Sequence, residues 1–336
     1  MKRIALLFSH LPKHLCGQDL PIVQLKTAIS FLKSQNVTVI TSAGQTHWDC
    51  ILTELLNNNI PVHLVIAKPT TLAEVSEQFS YHFESYTITE SCEERDQFIC
   101  FNAECVYPLW LRKNGHLAQI TALLPPERID KRFDCSLYRF SGSALKYLLR
   151  EPSAELCLLP DDYLWHWTRG QNGIWKGETR REFCNDLLCS QSPPRNALAT
   201  LLRILQERKI RAGNGHIAGN IFVTSFTENH PASSAILFTW RKDRQRMNFE
   251  PYGIGIPRSY AVSKGVRLLQ YGTIPDWDTM QLDNRWKNEH EWRVQGDFLL
   301  DDECTKKMIV VVRKTPEIEH IHPVFTGRVA AYEQIE

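Results

Sequence analysis

The feature that most limits what this chain can fold into is an alternation in roughly its first 90 residues. Short apolar runs at residues 3–8 (Arg-Ile-Ala-Leu-Leu-Phe), 37–41 (Val-Thr-Val-Ile-Thr) and 60–66 (Ile-Pro-Val-His-Leu-Val-Ile) are separated by longer stretches with helical spacing. Residues 20–35 space Val23, Ala28, Ile29 and Leu32 along one helical face. Residues 47–58 form a second helix with Thr46 as its cap, and Leu72, Val75 and Phe79 follow a cap at Thr70 or Thr71. Near-continuous apolar strands are buried on both faces, so the pattern implies a parallel sheet covered by helices. The expectation is a Rossmann-like α/β domain.

Such sheets bind ligands beyond the carboxyl ends of their strands. Here those ends fall at residues 9–17, 42–47 and 67–71, which hold His10, His14, Cys16, Ser42, Gly44 and His47. There is no GxGxxG after the first strand and no GxxxxGK[ST], so the dinucleotide and P-loop motifs lack their glycines. The first domain therefore reads as a recognition module or scaffold.

Further on, residues 98–101 and 106–111 read as strands, and 117–124 and 143–149 as helices. Glu151-Pro152-Ser153 is the expected joint, giving domains 1–152 and 153–336. The second half carries helices at 180–189 and 197–206 and a glycine-rich loop at 211–220. Its strands are expected at 161–170, 221–227, 236–240, 253–256, 266–271, 289–294 and 308–313, with a polar segment at 327–336. That is an α+β, mainly antiparallel pattern.

The chain has 336 residues and a formal net charge of +1, so no global field draws it to nucleic acid or a membrane. No apolar run approaches the ~18 residues of a bilayer span. The apolar start at Met1 lacks a small-residue cleavage site, so the expected location is cytoplasmic, without a membrane partner. Ten cysteines occur without a CxxC pair, and no metal is expected.

Chemistry is concentrated in Trp286-Lys287-Asn288-Glu289-His290-Glu291-Trp292-Arg293-Val294. If extended, it places Glu289, Glu291 and Arg293 on one face and His290, Trp292 and Val294 on the other. Two acids and a guanidinium on an apolar floor suit a polar pocket. The structural alternative is a half-buried strand with a surface Glu–Arg ion pair. Two further stretches, Trp165-His166-Trp167-Thr168-Arg169 and Thr224-Ser225-Phe226-Thr227-Glu228-Asn229-His230-Pro231, also sit where strands meet loops. Trp240, Arg241, Arg244 and Arg246 form a basic run beside a tryptophan. The default for such a run is a solvated loop, but the same composition holds single-stranded nucleic acid.

The order His-x-Thr, Ser-Phe-Thr-Glu, Tyr252-Gly253-Ile254-Gly255, Gly265, Tyr271-Gly272 and Trp-x-x-Glu-x-Glu-Trp-Arg, over residues 160–313, resembles an uncharacterised family of the abortive-infection, phage-defence type. More distantly it resembles ADP-ribosyltransferases, which place a His or Arg on a first strand, a Ser, Thr or Tyr on a middle strand and a Glu on a late one. That resemblance implies NAD as substrate, with His166 and Thr168 at the ribose, Ser225 and Thr227 on the nicotinamide side, and Glu291 as catalytic acid. Glu289 would orient the nucleophile, Arg169 or Arg293 would meet the pyrophosphate, and Tyr252 would line the site. Two other functions remain open: a DNA-modification enzyme acting on a 7-deazaguanine-type base in the same pocket, and a non-catalytic nucleotide-binding antitoxin or sensor.

Overall fold

The structure, a computed structural model, describes residues 1–11, 15–140, 151–171, 173–191, 194–214, 221–241, 246–271, 279–280 and 289–333. The expected helix at 143–149, most of the glycine-rich loop, His14, Arg244, Gly272 and residues 286–288 lie outside that set. The chain forms two compact units. Unit 1 comprises residues 1–142 and 172–194, and unit 2 comprises residues 143–171 and 195–336.

Unit 1 is the α/β half. It runs β1 (Lys2–Phe8), α1 (Leu20–Leu32), β2 (Val37–Ser42), α2 (Thr46–Asn57), β3 (Val62–Ala67), α3 (Leu72–Phe79), β4 (Tyr86–Thr89), α4 (Cys92–Asn102), β5 (Cys105–Trp110) and α5 (His116–Thr121). The five strands are parallel, in the order β4-β3-β2-β1-β5. For this strand order the usual right-handed crossover implies α1, α2 and α3 on one face and the returning α4 on the other. Ile4 to Phe8 of β1 are all buried, as expected for a strand covered on both sides. Residues 98–101 are helical rather than extended. Ser91 accepts from the Glu94 amide and Glu93 and Glu94 occupy the first turn, so a capped helix start outweighs the local apolar run.

The chain next enters unit 2 with α6 (Ala154–Cys157) and β6 (Tyr163–Trp167), then returns to unit 1 with α7 (Arg180–Cys189). Phe183, Cys184, Leu187 and Leu188 of α7 are buried in the same core as α1 and α2. A contiguous boundary at 152 therefore misses this segment.

Unit 2 continues with α8 (Ala197–Glu207), β7 (Lys209–Ile210), β8 (Val223–Thr227), β9 (Trp240–Arg241), β10 (Arg246–Met247), β11 (Gly253–Pro257), α9 (Arg258–Ser263), β12 (Arg267–Leu268), β13 (Gln270–Tyr271), β14 (Thr279–Met280), β15 (Glu291–Gln295), β16 (Phe298–Leu299), α10 (Asp302–Lys307), β17 (Ile309–Lys314), α11 (Ile318–Ile321) and β18 (Arg328–Glu333). Its main sheet has the order β12-β15-β8-β6-β11-β17-β18, antiparallel except for the β17–β18 pair. Of the expected strand 236–240, Ile236 and Leu237 close a 3-10 turn that starts at Pro231, and only Trp240 is extended, in β9. The polar C-terminal segment is an edge strand, with Tyr332 and Glu333 buried and Glu333 3.4 Å from Arg313. Gly253 and Gly255 of β11 lie under the Trp167 and Trp165 rings. A Cβ at either would come within 2.5 Å of a ring carbon. No helix among the described residues is long and apolar enough to cross a membrane.

Candidate active site

The three stretches singled out in the second half lie on adjacent strands, β15, β8 and β6. Register decides which side chains share a face. Glu291 pairs with Thr227, Arg293 with Ser225 and Trp165 with Thr227. One face of the sheet therefore carries Glu291, Arg293, Ser225, Thr227, Trp165 and Trp167. The other carries Trp292, Phe226 and His166, whose ring lies 5.9 Å from that of Phe226. The expected meeting of His166 with Ser225 and Glu291 on one surface does not occur, because the strands are adjacent but His166 is one residue out of phase. Its Nδ1 is 2.8 Å from the Ser225 carbonyl oxygen, and burial lowers its pKa, favouring the neutral ring.

Glu291 and Arg293 form a bidentate pair, Nε to Oε1 at 2.8 Å and the second guanidinium nitrogen to Oε2 at 3.0 Å. Their side chains are 11% and 3% exposed, so the ion pair that an exposed strand would carry on its surface is here desolvated. Both oxygens of Glu291 are thus occupied. Glu289 differs. The strand begins only at Glu291, and His290 turns the chain with φ 44°, so Glu289 reaches the same polar group from the preceding loop rather than by strand alternation. Its Oε1 accepts from Asn248 Nδ2 at 3.1 Å. Burial raises its pKa, Glu291 adds to the rise, and the Asn248 bond, Arg241 and Arg169 oppose it. Arg169 donates to the Asn248 carbonyl oxygen at 3.2 Å.

The polar group so assembled holds two carboxylates, Glu289 and Glu291, and three guanidiniums, Arg169, Arg241 and Arg293. Thr227 lies on the same face, its hydroxyl donating to the Glu289 carbonyl oxygen. Ser225 on that face is half-buried. Arg241, named as a nucleic-acid contact, lies in the field of Glu289. Trp240 beside it is half-buried in the β9–β10 hairpin, whose register pairs it with Met247. The side chain of Arg246 lies outside the described set.

Thr168 and Tyr252 serve the framework. The Thr168 hydroxyl donates to the carbonyl oxygens of Ala197 and Tyr252, and the Tyr252 hydroxyl donates to Glu317 at 2.8 Å. Sequence reasoning did not find Asn248 or the buried Glu250, which accepts from the Gly170 amide at 2.7 Å. Neither stands in a patterned motif, and only the fold brings residues 248–250 to Arg169. Glu228 of the Ser-Phe-Thr-Glu motif anchors the opposite face, accepting from Trp292 Nε1 at 3.1 Å with His290 Nδ1 at 3.2 Å.

No protein family, curated protein or solved structure matches the chain.

Proposed function

We propose that unit 2 is a nucleotide-processing enzyme of the phage-defence type. It acts on NAD or a nucleotide-like group with ADP-ribosyltransferase-like chemistry at the Glu289–Glu291 face. The observation that carries this reading is the contrast between two neighbouring carboxylates. Glu291 is bound on both oxygens by Arg293, whereas Glu289 is desolvated and has its pKa raised. Paired acids in unequal environments divide the labour of acid–base catalysis. Glu289 takes the proton of the attacking water or acceptor hydroxyl. Glu291, fixed by Arg293, supplies an oriented negative charge where the ribose becomes cationic as its C–N bond breaks. Arg169 and Arg241 suit the pyrophosphate, and Ser225 and Thr227 present hydroxyls beside them.

The adjacency of β6, β8 and β15 supports the reading, because a first, a middle and a late strand of the unit contribute to one sheet. On this reading His166, which faces the other side of the sheet, is not part of the catalytic set. A DNA-modification enzyme acting on a 7-deazaguanine-type base is the second reading, favoured by Trp240 and Arg241 lying on one hairpin beside the acids.

The test incubates the full chain with NAD, alone or with duplex DNA, and follows free nicotinamide. Nicotinamide release that is lost in Glu289→Gln, with NAD binding retained, is the expected result. Binding without release identifies a sensor. No release with or without DNA, together with steeply salt-dependent DNA binding, favours the second reading.

A further inference from the structure

Four non-glycine residues among those described have a left-handed backbone: Asn59, Ser80, Arg208 and His290. The first three stand at the carboxyl ends of α2, α3 and α8, where helices commonly take that conformation. His290 instead leads straight into β15, with φ 44° and an exposed side chain. A residue with a side chain bears that conformation at a cost, so neighbouring contacts must hold it, and such residues gather where a reacting group is aimed.

The contacts come from one dipeptide, Thr227-Glu228, which ends β8 and closes the Ser-Phe-Thr-Glu motif. On the face of the acid pair, the Thr227 hydroxyl donates to the Glu289 carbonyl oxygen and accepts from the Asn229 amide at 3.1 Å. The Glu228 amide donates to the His290 carbonyl oxygen at 3.2 Å. On the opposite face, Glu228 Oε1 lies 3.2 Å from His290 Nδ1, and Oε2 accepts from Trp292 Nε1 at 3.1 Å. A carboxylate only accepts, so Nδ1 carries a hydrogen toward it. Arg258 closes this side, with a guanidinium nitrogen 3.9 Å from Glu228 and its Cζ 5.8 Å from the centre of the Trp292 ring.

The turn is thus gripped from both faces of the sheet, and the grip determines where Glu289 lies. A return of residue 290 to extended backbone would swing the chain that carries Glu289 and draw its carboxyl away from Asn248 Nδ2, now at 3.1 Å. A displacement of about 1 Å can cost a catalytic group about a hundredfold.

We propose that Glu228 and His290 are positioning residues: the Glu228 carboxylate, holding His290 and Trp292 on one face of the sheet, keeps the turn left-handed and so places the Glu289 carboxyl on the other. Their importance to turnover rests on the reading of Glu289 as the base, whereas the placement is measurable without turnover. The last residue of the Ser-Phe-Thr-Glu motif thereby acts on the reaction through the backbone, from the far side of the sheet.

The test reads the titration of Glu289 through stability. Glu289 faces Asn248, Glu291 of β15, Arg241 of β9 and Arg169 beyond β6, and burial raises its pKa there. The native state holds the extra proton, so stability falls as pH rises from 4.5 through the folded value. The Glu289-dependent part of this limb is the difference, in urea denaturation of the full chain from pH 4 upward, between a variant and the same variant carrying Glu289→Gln. It is expected to shrink about twofold or more in Glu228→Ala and in His290→Ala. It should be largely retained in His290→Gly, because glycine adopts the turn without a side-chain cost, and partly retained in Glu228→Gln, which keeps an acceptor. Where the chain releases nicotinamide, kcat of Glu228→Ala should fall about tenfold or more, with KM for NAD within about twofold of wild type. No release from the wild-type chain, with the limb reduced in Glu228→Ala, removes the proposed reaction and leaves the clamp standing. A limb unchanged in Glu228→Ala and His290→Ala overturns the proposal, whatever their loss of stability at a fixed pH. His290 is exposed, so its variants keep the test decisive if Glu228→Ala does not fold.

Discussion

At the scale of single residues, the account turns on how differently two carboxyl groups two positions apart are housed. Glu291 lies within a desolvated bidentate pair. Arg293→Ala would leave its charge buried and unpaired, at an expected cost of about 3 kcal/mol by urea denaturation. Replacing both partners with apolar residues of similar volume should recover most of that loss. Glu289 has a raised pKa in the folded state, so between its ordinary value of 4.5 and its folded value the native protein holds more proton than the unfolded chain. Stability should therefore fall as pH rises through that window and level off above it. Glu289→Gln should flatten this limb in denaturation curves recorded from pH 4 upward. An unchanged limb would show that Glu289 is not the group responsible. The sequence named Glu289, Glu291 and Arg293 as sharing a face. It did not show that the strand starts only at Glu291, because the left-handed turn at His290 leaves no mark in residue type.

At the scale of elements, the Tyr-Gly-Ile-Gly stretch has a packing explanation. The indole rings of β6 occupy the space above Gly253 and Gly255, where any Cβ would intrude. Gly255→Ala should cost about 1–3 kcal/mol, measured as a lowered Tm. An unchanged Tm would show that the rings can shift. Most elements of unit 1 were legible because each buried strand is a local apolar run and each helix shows its own period. Two of the elements that escaped did so for contrary reasons. Residues 98–101 look extended alone and are helical because of a cap seven residues upstream at Ser91. The strand β18 looks polar, yet it is paired along its length with β17 and buries Ala330, Ala331 and Tyr332. His166 shows a related limit: which strands adjoin was foreseeable, but the phase between them depends on a one-residue register that motif order does not encode.

At the scale of the molecule, the chain does not divide at one point. Residues 172–194 belong to the first unit, and the buried side chains of α7 complete its core. Cutting the chain at 152 should therefore yield an N-terminal fragment with exposed apolar surface. It should bind hydrophobic dye and aggregate, and supplying residues 172–194 through a linker should restore a cooperative transition. A fragment 1–152 that unfolds as cooperatively as the whole chain would contradict this. A composition shift signals a linker, but nothing in composition signals a return, because the α7 stretch looks like any amphipathic helix.

The most direct test of the central claim compares Glu289→Gln with His166→Gln in one nicotinamide-release assay on the full chain, with folding checked by circular dichroism. The predicted result is a loss of about a hundredfold or more for Glu289→Gln, with turnover near wild type for His166→Gln. The reverse, an active Glu289→Gln and a folded but inactive His166→Gln, would place the chemistry on the other face of the sheet and contradict the account.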